Sequence, residues 1–345
     1  MSSSYRVGVV GLGAIASAYG KPDESAPYCH VGGIRFSNRV HLAGACDLSE
    51  AARAGFAATW GAVFPDTPVF DSMEAMLAGS QPDIVAVCVR GPFHFQVMRE
   101  LLLSPHAPRA VFLEKPPTCS LGEHDAMVAL AREKNIPITV SYSRHWNPRT
   151  LKMAELVRDD LIGRVHTVIG YNGGPVLSFA SHTTDLICQF AGYDARAVHA
   201  QGTPGQETRE GYEAEPNLEH LTIEFESGAL GVQVGAEGER SQFYADVFGT
   251  QGRVQVGMYF EPQAFDGKNQ PIDLSGQLPA NASVFTLAYD QIAAHLDGGP
   301  LADCTNETFA VVNEIGFGAI ESLNANGARV ELPNVNRARK VWANG

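Results

Sequence analysis

The stretch "YRVGVVGLGAIA" (residues 5–16) constrains the fold more than any other part of the chain. A buried run turns through Gly11-Leu12-Gly13 into a helix, with Ala16 in the third small-residue slot of G-x-G-x-x-A. Gly11 permits the tight turn, Gly13 lets the main chain approach a pyrophosphate, and Ala16 lets helix and strand pack closely. The amides of Ala14 and Ile15 open that helix and would receive the phosphate charge. The reading is a strand, a loop and a helix that bind a dinucleotide.

The next buried strand, "VHLAGACD", ends in Asp47, whose carboxylate is placed to take the ribose hydroxyls of the adenosine half. Asp47 also reads as the N-cap ahead of "LSEAARAGFAATWG", and both roles can hold together. Leu48 and Ser49 follow without an adjacent Arg, so NAD is expected over NADP, while Arg53 one turn on keeps NADP open. Before that strand, "YGKPDESAPYCHVGG" breaks the first helix with two prolines and extra polar residues, and a loop near the cofactor is expected there.

Strands and helices then alternate: "SMEAMLAG" reads as helix, "DIVAVCV" as strand, "FHFQVMRELLL" as helix, "AVFLEK" as strand, "GEHDAMVALAREKN" as helix and "PITVSYS" as strand. Six strands joined by crossovers describe a parallel, doubly wound sheet. The segment "VFLEKPPT" (111–118) closes the fifth. Its Pro-Pro pair removes two donors and ends the ladder, which leaves Lys115 at the carboxyl edge, where open α/β sheets bind ligands. Alone, Glu114-Lys115 reads as a solvated pair; at that edge it reads as a neighbour of the nicotinamide.

At 345 residues the chain is long for one core, and we expect two domains, 1–147 and 148–345. "SYSRHWNP" is then the crossing, and Tyr142, Arg144, Trp146 and Asn147 offer the donors and indole face that suit a polyol ring. Trp146 reads equally as interdomain core, and Asn147-Pro148 as a helix start. The second half reads as strands "RVHTVIGYN", "ARAVHAQG", "NLEHLTIEFES", "GALGVQVGAEG", "QFYADVFGT" and "GRVQVGMYF" with turn signals between them, an antiparallel sheet. Tyr171 and Asn172 end the first of these and are further substrate candidates. "LSFASHTTDLICQF" is an amphipathic helix that puts Asp185 one turn after His182, so the carboxylate can orient the imidazole. His182 alone also reads as a packing residue at a domain boundary, and His94 as either a nicotinamide neighbour or a helix cap.

A formal charge of -13, from 25 Lys and Arg against 38 Asp and Glu, argues against nucleic acid and anionic membrane and for a small neutral substrate. The six cysteines are scattered without C-x-x-C or metal-ligand spacing, and no metal is expected. No apolar run reaches the length of a membrane span, and "MSSSYRVGVVG" shows no signal-peptide pattern, so the expectation is a cytoplasmic protein with reduced thiols.

"GLGAIA", "EKP" at 114–116, "SRHWNP" at 143–148, "GG" at 173–174 with "SHTTD" at 181–185, and the closing "NETFAVVNEIGFGAIESLNANGARVEL" resemble the glucose-fructose oxidoreductase / inositol dehydrogenase / rhizopine catabolism (Gfo/Idh/MocA) family, in that order along most of the chain. The resemblance implies an N-terminal NAD(P)-binding Rossmann domain and a C-terminal α/β domain on a large, open, mostly antiparallel sheet that commonly makes homodimers or homotetramers. It implies oxidation or reduction of a hydroxyl on a sugar or cyclitol, with Lys115 touching the reacting oxygen and His182 moving its proton. Two departures stand out. Ser178 and Ala180 occupy places where many members carry Asp and Gly, so Ser178 would bond substrate or water rather than relay a proton. Arg90 replaces a Pro four residues before His94 and would put a cation near the nicotinamide. Two other readings compete: a non-catalytic dinucleotide-binding regulator, and an enzyme that uses tightly held NAD transiently for elimination, glycoside cleavage or epimerisation.

Overall fold

The valines of "YRVGVV" are enclosed on both sides, as a central parallel strand requires. The structure is a computed structural model that describes residues 4–235, 243–333 and 336–345. Its helices are α1 (His30–Phe36), α2 (Glu50–Trp60), α3 (Met73–Ser80), α4 (Gly91–Leu103), α5 (Leu121–Lys134), α6 (Pro148–Arg158), α7 (Ser181–Ala191), α8 (Val284–Leu296) and α9 (Asn306–Asn324), with single π-type turns at Ala14–Ala18 and Val176–Ala180. The chain divides into two units. The first is Met1–Thr118, Glu123–Ser141 and Ala282–Asn306; the second is Cys119–Gly122, Tyr142–Asn281 and Glu307–Gly345.

In the first unit β1 (Tyr5–Val10), β2 (Val40–Cys46), β3 (Val69–Phe70), β4 (Ile84–Val87), β5 (Ala110–Leu113) and β6 (Ile138–Val140) form a sheet in the order β3-β2-β1-β4-β5-β6. Every pairing is parallel. This is the doubly wound Rossmann sheet expected from the sequence. The strand order reverses between β1 and β4, so the glycine turn after β1 and the ends of β4 and β5 gather at the switch point.

The insert expected as a loop is only partly one, because its last four residues begin α1. Pro22 and Pro27 lie upstream, where no helical amide is needed, and extended Cys29 caps the new helix by accepting from Gly32 N at 3.3 Å. A single cut at residue 147 also misses α8, which returns to pack on α1. One flank of α8, with Phe285, Ala288, Tyr289 and Ile292, is apolar and needs cover. At Gly33 a side chain would stand 2.4 Å from Phe285 Cβ, and Thr286 Oγ1 donates to Gly33 O at 2.9 Å. Beyond its last turn, Asp297 accepts from the Tyr5 hydroxyl at 2.5 Å.

The second unit holds β7 (Val165–Tyr171), β8 (Gly174–Pro175), β9 (Ala195–Thr203), β10 (Glu213–Ala214), β11 (Asn217–Phe225), β12 (Leu230–Val234), β13 (Tyr244–Gly249), β14 (Gly252–Gly257), β15 (Gln263–Asp266), β16 (Pro271–Ile272), β17 (Val330–Glu331) and β18 (Val341–Trp342). Ten of them make a sheet in the order β16-β15-β14-β13-β7-β12-β11-β9-β17, with β8 on β11. Only β7–β12 is parallel within it, so the expected mostly antiparallel sheet is present. The expected strand ends at 236–238 and 242 lie outside the described residues. Helix α7 packs on β7 at Gly170, where a Cβ would meet Thr183 Cγ2 at 2.5 Å. Among the described residues no helix is long and apolar enough to cross a membrane.

Candidate functional site

The turn after β1 is built as its glycines require. Gly11 has φ +88°, and a side chain there would press on the Cys88 carbonyl and Val89 N at 3.0 Å. Gly13 is exposed, with extended backbone, and a Cβ on it would meet nothing within 4 Å. Ala14 is exposed and Ile15 half-buried, while Ala16 is fully enclosed. The loop therefore offers an open main-chain surface at residues 13–15 above a packed base, the shape a pyrophosphate needs. Asp47 grips this loop, with Oδ2 accepting from Leu12 N at 2.7 Å and Oδ1 from Ser49 N at 2.8 Å. Each oxygen keeps a second lone pair for a ribose hydroxyl. Asp47 is not the cap of α2, since Ser49 Oγ accepts from Ala52 N and does that work. Arg53 donates to the carbonyls of Asp47 and Leu48 at 2.7 and 3.1 Å.

At the ends of β4 and β5, Glu114 is buried and Lys115 half-buried. Glu114 was expected beside the cofactor, but its oxygens turn inward, Oε1 to His30 Nε2 at 3.0 Å and Oε2 to Lys115 N at 3.2 Å. Burial pushes its pKa up, yet the His30 hydrogen bond and the charges of His30 and Lys115 more than offset this and hold it below its ordinary value. His94 is fully buried with Nδ1 2.7 Å from Pro116 O and Nε2 2.8 Å from Val89 O. It neither caps α4, whose N-cap is the backbone of exposed Arg90, nor has a nitrogen to offer a cofactor. Instead it ties the segment after β4 to the one that carries Lys115. Burial pushes its pKa down, so near neutral pH the ring has one proton for the two carbonyls.

In the second unit His182 sits in the first turn of α7, 3 % exposed, with Nε2 3.3 Å from Arg144 Nη1. A guanidinium only donates, so Nε2 is the acceptor and the ring proton belongs on Nδ1. Arg144 also donates to Ser143 Oγ at 2.8 Å and lies 3.9 Å from the Phe243 ring centre, while Tyr142 stands edge-on to His182 at 6.3 Å. Asp185 orients a different imidazole from the one expected: Oδ2 is 3.0 Å from His145 Nδ1, and Oδ1 accepts from Tyr193 at 3.2 Å. Helical spacing put it on the right side of α7, but a residue of the 142–147 segment claims it.

Several substrate candidates have other duties. Trp146 is 1 % exposed and has no free indole face. Asn147 caps α6, accepting from Arg149 N and Thr150 N at 3.0 and 3.1 Å. Tyr171 alternates with Gly170 and so lies on the sheet face away from α7, stacked on Tyr244 at 4.2 Å and donating to Asp246 at 3.0 Å. Burial, then Asp246, push its pKa up to about 12. Ser178 Oγ donates to Glu215, whose other oxygen accepts from the amides of Leu177 and Ser178. Asn172 remains a candidate: it is 3 % exposed and its Oδ1 has no hydrogen-bond partner among the described residues. Sequence reading missed Gln233, fully buried, which donates to the carbonyls of Asn172 and Ala180 and accepts from Thr184. It also missed His30, Tyr289, His145 and Glu215, whose pairings span long stretches of chain.

Residues 5–142 match the family described as oxidoreductases with an NAD-binding Rossmann fold, GFO_IDH_MocA. The uncharacterized oxidoreductase YrbE of Bacillus subtilis (strain 168) is 26% identical over 192 residues, 50% of this chain and 54% of its own. The D-glucoside 3-dehydrogenase of Escherichia coli (strain K12) is 24% identical over 260 residues, 66% of this chain and 69% of its own. The chain thus spans about half the length of the first relative and somewhat over two thirds of the second. The aldose-aldose oxidoreductase of Caulobacter crescentus, solved with glycerol, superposes with a TM-score of 0.76 over 95% of this chain and 100% of that one, at 15% identity, which is a likeness of fold.

Proposed function

We propose that this chain, whose residues 5–142 match the Gfo/Idh/MocA oxidoreductase family model, is an oxidoreductase of that family that transfers a hydride between a hydroxyl or carbonyl of a sugar or cyclitol and the nicotinamide of NAD. The observation that carries the reading is Lys115 at the carboxyl edge of β5, in the sheet whose switch point bears an open G-x-G-x-x-A turn. A sugar is favoured because the Escherichia coli relative is a D-glucoside 3-dehydrogenase.

The turn fits a dinucleotide, since space above Gly13 is clear and Asp47 keeps acceptors for ribose hydroxyls. Gly11, Gly13, Ala14, Ile15 and Asp47 would hold it. When bound, NAD supplies the acceptor for two electrons and a hydrogen. Lys115 offers positive charge where alkoxide character develops on the reacting oxygen, an interaction stronger in the transition state than in the ground state. His182 takes the hydroxyl proton on Nε2, whose single lone pair accepts from Arg144 in this structure and is released by Arg144 as the proton arrives. In the reverse direction it returns the proton. Asn172 Oδ1 is the acceptor we assign to a second substrate hydroxyl. The half-exposed outer face of the second sheet, with Ile169, Tyr171, Val232 and Tyr244, favours pairing of two copies.

The test is a panel of sugars and inositols assayed for reduced cofactor with NAD and NADP in parallel. A polyol oxidised preferentially with NAD is expected; no turnover with any of them overturns the reading. His182→Ala should lose roughly a hundredfold to ten-thousandfold of rate, and a variant with its rate and pH profile intact would reduce His182 to a packing residue.

A further inference from the structure

Behind Lys115 three polar side chains from separate stretches of the first unit form a chain almost closed to water. Tyr289 Oη lies 2.9 Å from His30 Nδ1, and His30 Nε2 lies 3.0 Å from Glu114 Oε1. Their exposures are 0%, 0% and 4%. Glu114 Oε2 then accepts from the main chain of Lys115 at 3.2 Å. Phe112 and Phe285 pack on the His30 ring at 4.8 and 4.6 Å, so the group sits in an apolar setting. A buried ionic cluster is seldom more stabilising than apolar side chains of the same volume. Its place at the root of Lys115 points to what else it does.

The protons can be assigned. An ionised carboxylate only accepts, so His30 Nε2 carries hydrogen, while Nδ1 faces the Tyr289 hydroxyl. Burial pushes the Tyr289 pKa well above its ordinary value, so that hydroxyl stays a donor. Cys88 and Cys29 also face this group, and burial raises both thiols, so neither adds a competing charge. His94 is held toward its neutral form by burial. The charges of His30 and then of Lys115 both lower the Glu114 pKa, and the attraction between Glu114 and Lys115 acts equally on both partners.

We propose that His30 and Tyr289 are positioning residues that hold Glu114 as a carboxylate and, through it, keep Lys115 protonated. The functional meaning of this relay rests on the role given to Lys115 above.

The experiment reads Lys115 directly, by the pH dependence of its acylation rate in the whole protein, followed at the peptide that carries Lys115 by mass spectrometry after digestion. It compares wild type with Tyr289→Phe, His30→Gln, Glu114→Gln and the His30→Gln/Glu114→Gln double variant. Glu114→Gln should lower the apparent pKa of Lys115 by roughly one unit or more, the effect of losing a nearby opposite charge. His30→Gln should shift it the same way, and the double variant no further than Glu114→Gln alone. Tyr289→Phe deletes one oxygen and keeps the ring, so it decides the matter even if His30→Gln fails to fold; a smaller downward shift is expected. An unchanged Lys115 titration in Tyr289→Phe and in any folded His30 variant overturns the relay. A shifted Lys115 titration with a pH profile of sugar turnover that does not shift with it leaves the relay standing and overturns the role assigned to Lys115 instead.

Discussion

The two glycines of the G-x-G-x-x-A turn should fail in opposite ways when each is replaced by alanine. At Gly11 φ is +88°, a conformation that costs a residue with a Cβ about 1–2 kcal/mol. The new methyl would also stand 3.0 Å from the Cys88 carbonyl and Val89 N, backbone atoms of the neighbouring segment that cannot rotate away. Together these come to about 2–3 kcal/mol, or roughly 4–12 °C in Tm for a unit of this size. At Gly13 the backbone is extended with φ -71°, and no atom lies within 4 Å of the added methyl. Gly13→Ala should therefore leave Tm unchanged or raise it by about 1–4 °C, because alanine restricts the unfolded chain. That methyl would, however, occupy the space a pyrophosphate must approach, and NAD affinity should fall at least about tenfold, or about 1.4 kcal/mol. Differential scanning fluorimetry gives the first quantity and quenching of intrinsic fluorescence by NADH the second. Undiminished affinity in Gly13→Ala would refute the placement of the pyrophosphate, and an unshifted Tm in Gly11→Ala would refute the strain argument.

Lys115→Ala should cost on the order of a hundredfold in kcat by analogy with removal of an oxyanion donor, with dinucleotide binding by fluorescence titration preserved. Asn147→Ala removes the cap of α6 and should lower stability by about 1 kcal/mol, seen in urea unfolding, with substrate KM unaltered because the side chain is spent on the helix. The depressed pKa of buried Glu114 contributes stability that is present above its ordinary value and is lost as pH falls through the lower folded value. Acid unfolding of Glu114→Gln should lack that part of the pH dependence, which a series of thermal melts below the ordinary carboxylate range would reveal.

How much could be read in advance depended on how local the physics is. The G-x-G-x-x-A turn, the strand stopped by two prolines after Lys115, and the alternation of the second sheet are short-range patterns, and each appears where expected. The misreadings share a different cause. Asp185 and His182 are correctly placed on one stretch of α7, yet His145, forty residues earlier in the chain, takes the carboxylate. Tyr171 is correctly placed at the end of β7, but strand alternation turns it from α7. His30 lay within a segment read as loop, and its partner Tyr289 is 259 positions away, on a helix that no local pattern assigns to the first unit. Side chains that serve as caps, such as Asn147, look in sequence like ligands because both tasks need the same acceptor oxygen.

The return of α8 to the first unit has a bearing on how the protein is made. Domains generally fold in order as they are synthesised, but this nucleotide-binding unit lacks one of its packing partners until α8 has followed all but the last strand of the large sheet of the second unit out of the ribosome. Until then α1 has no cover for the surface that receives Phe285, and His30 has no Tyr289. The nascent first half must wait with an unfinished core, exposed to chaperones and proteases. A gene fragment ended at the crossing near residue 147 would remain in that state permanently. A fragment meant to bind NAD on its own would need the helix grafted back, for instance by a short linker that joins β6 to α8 and omits the second unit.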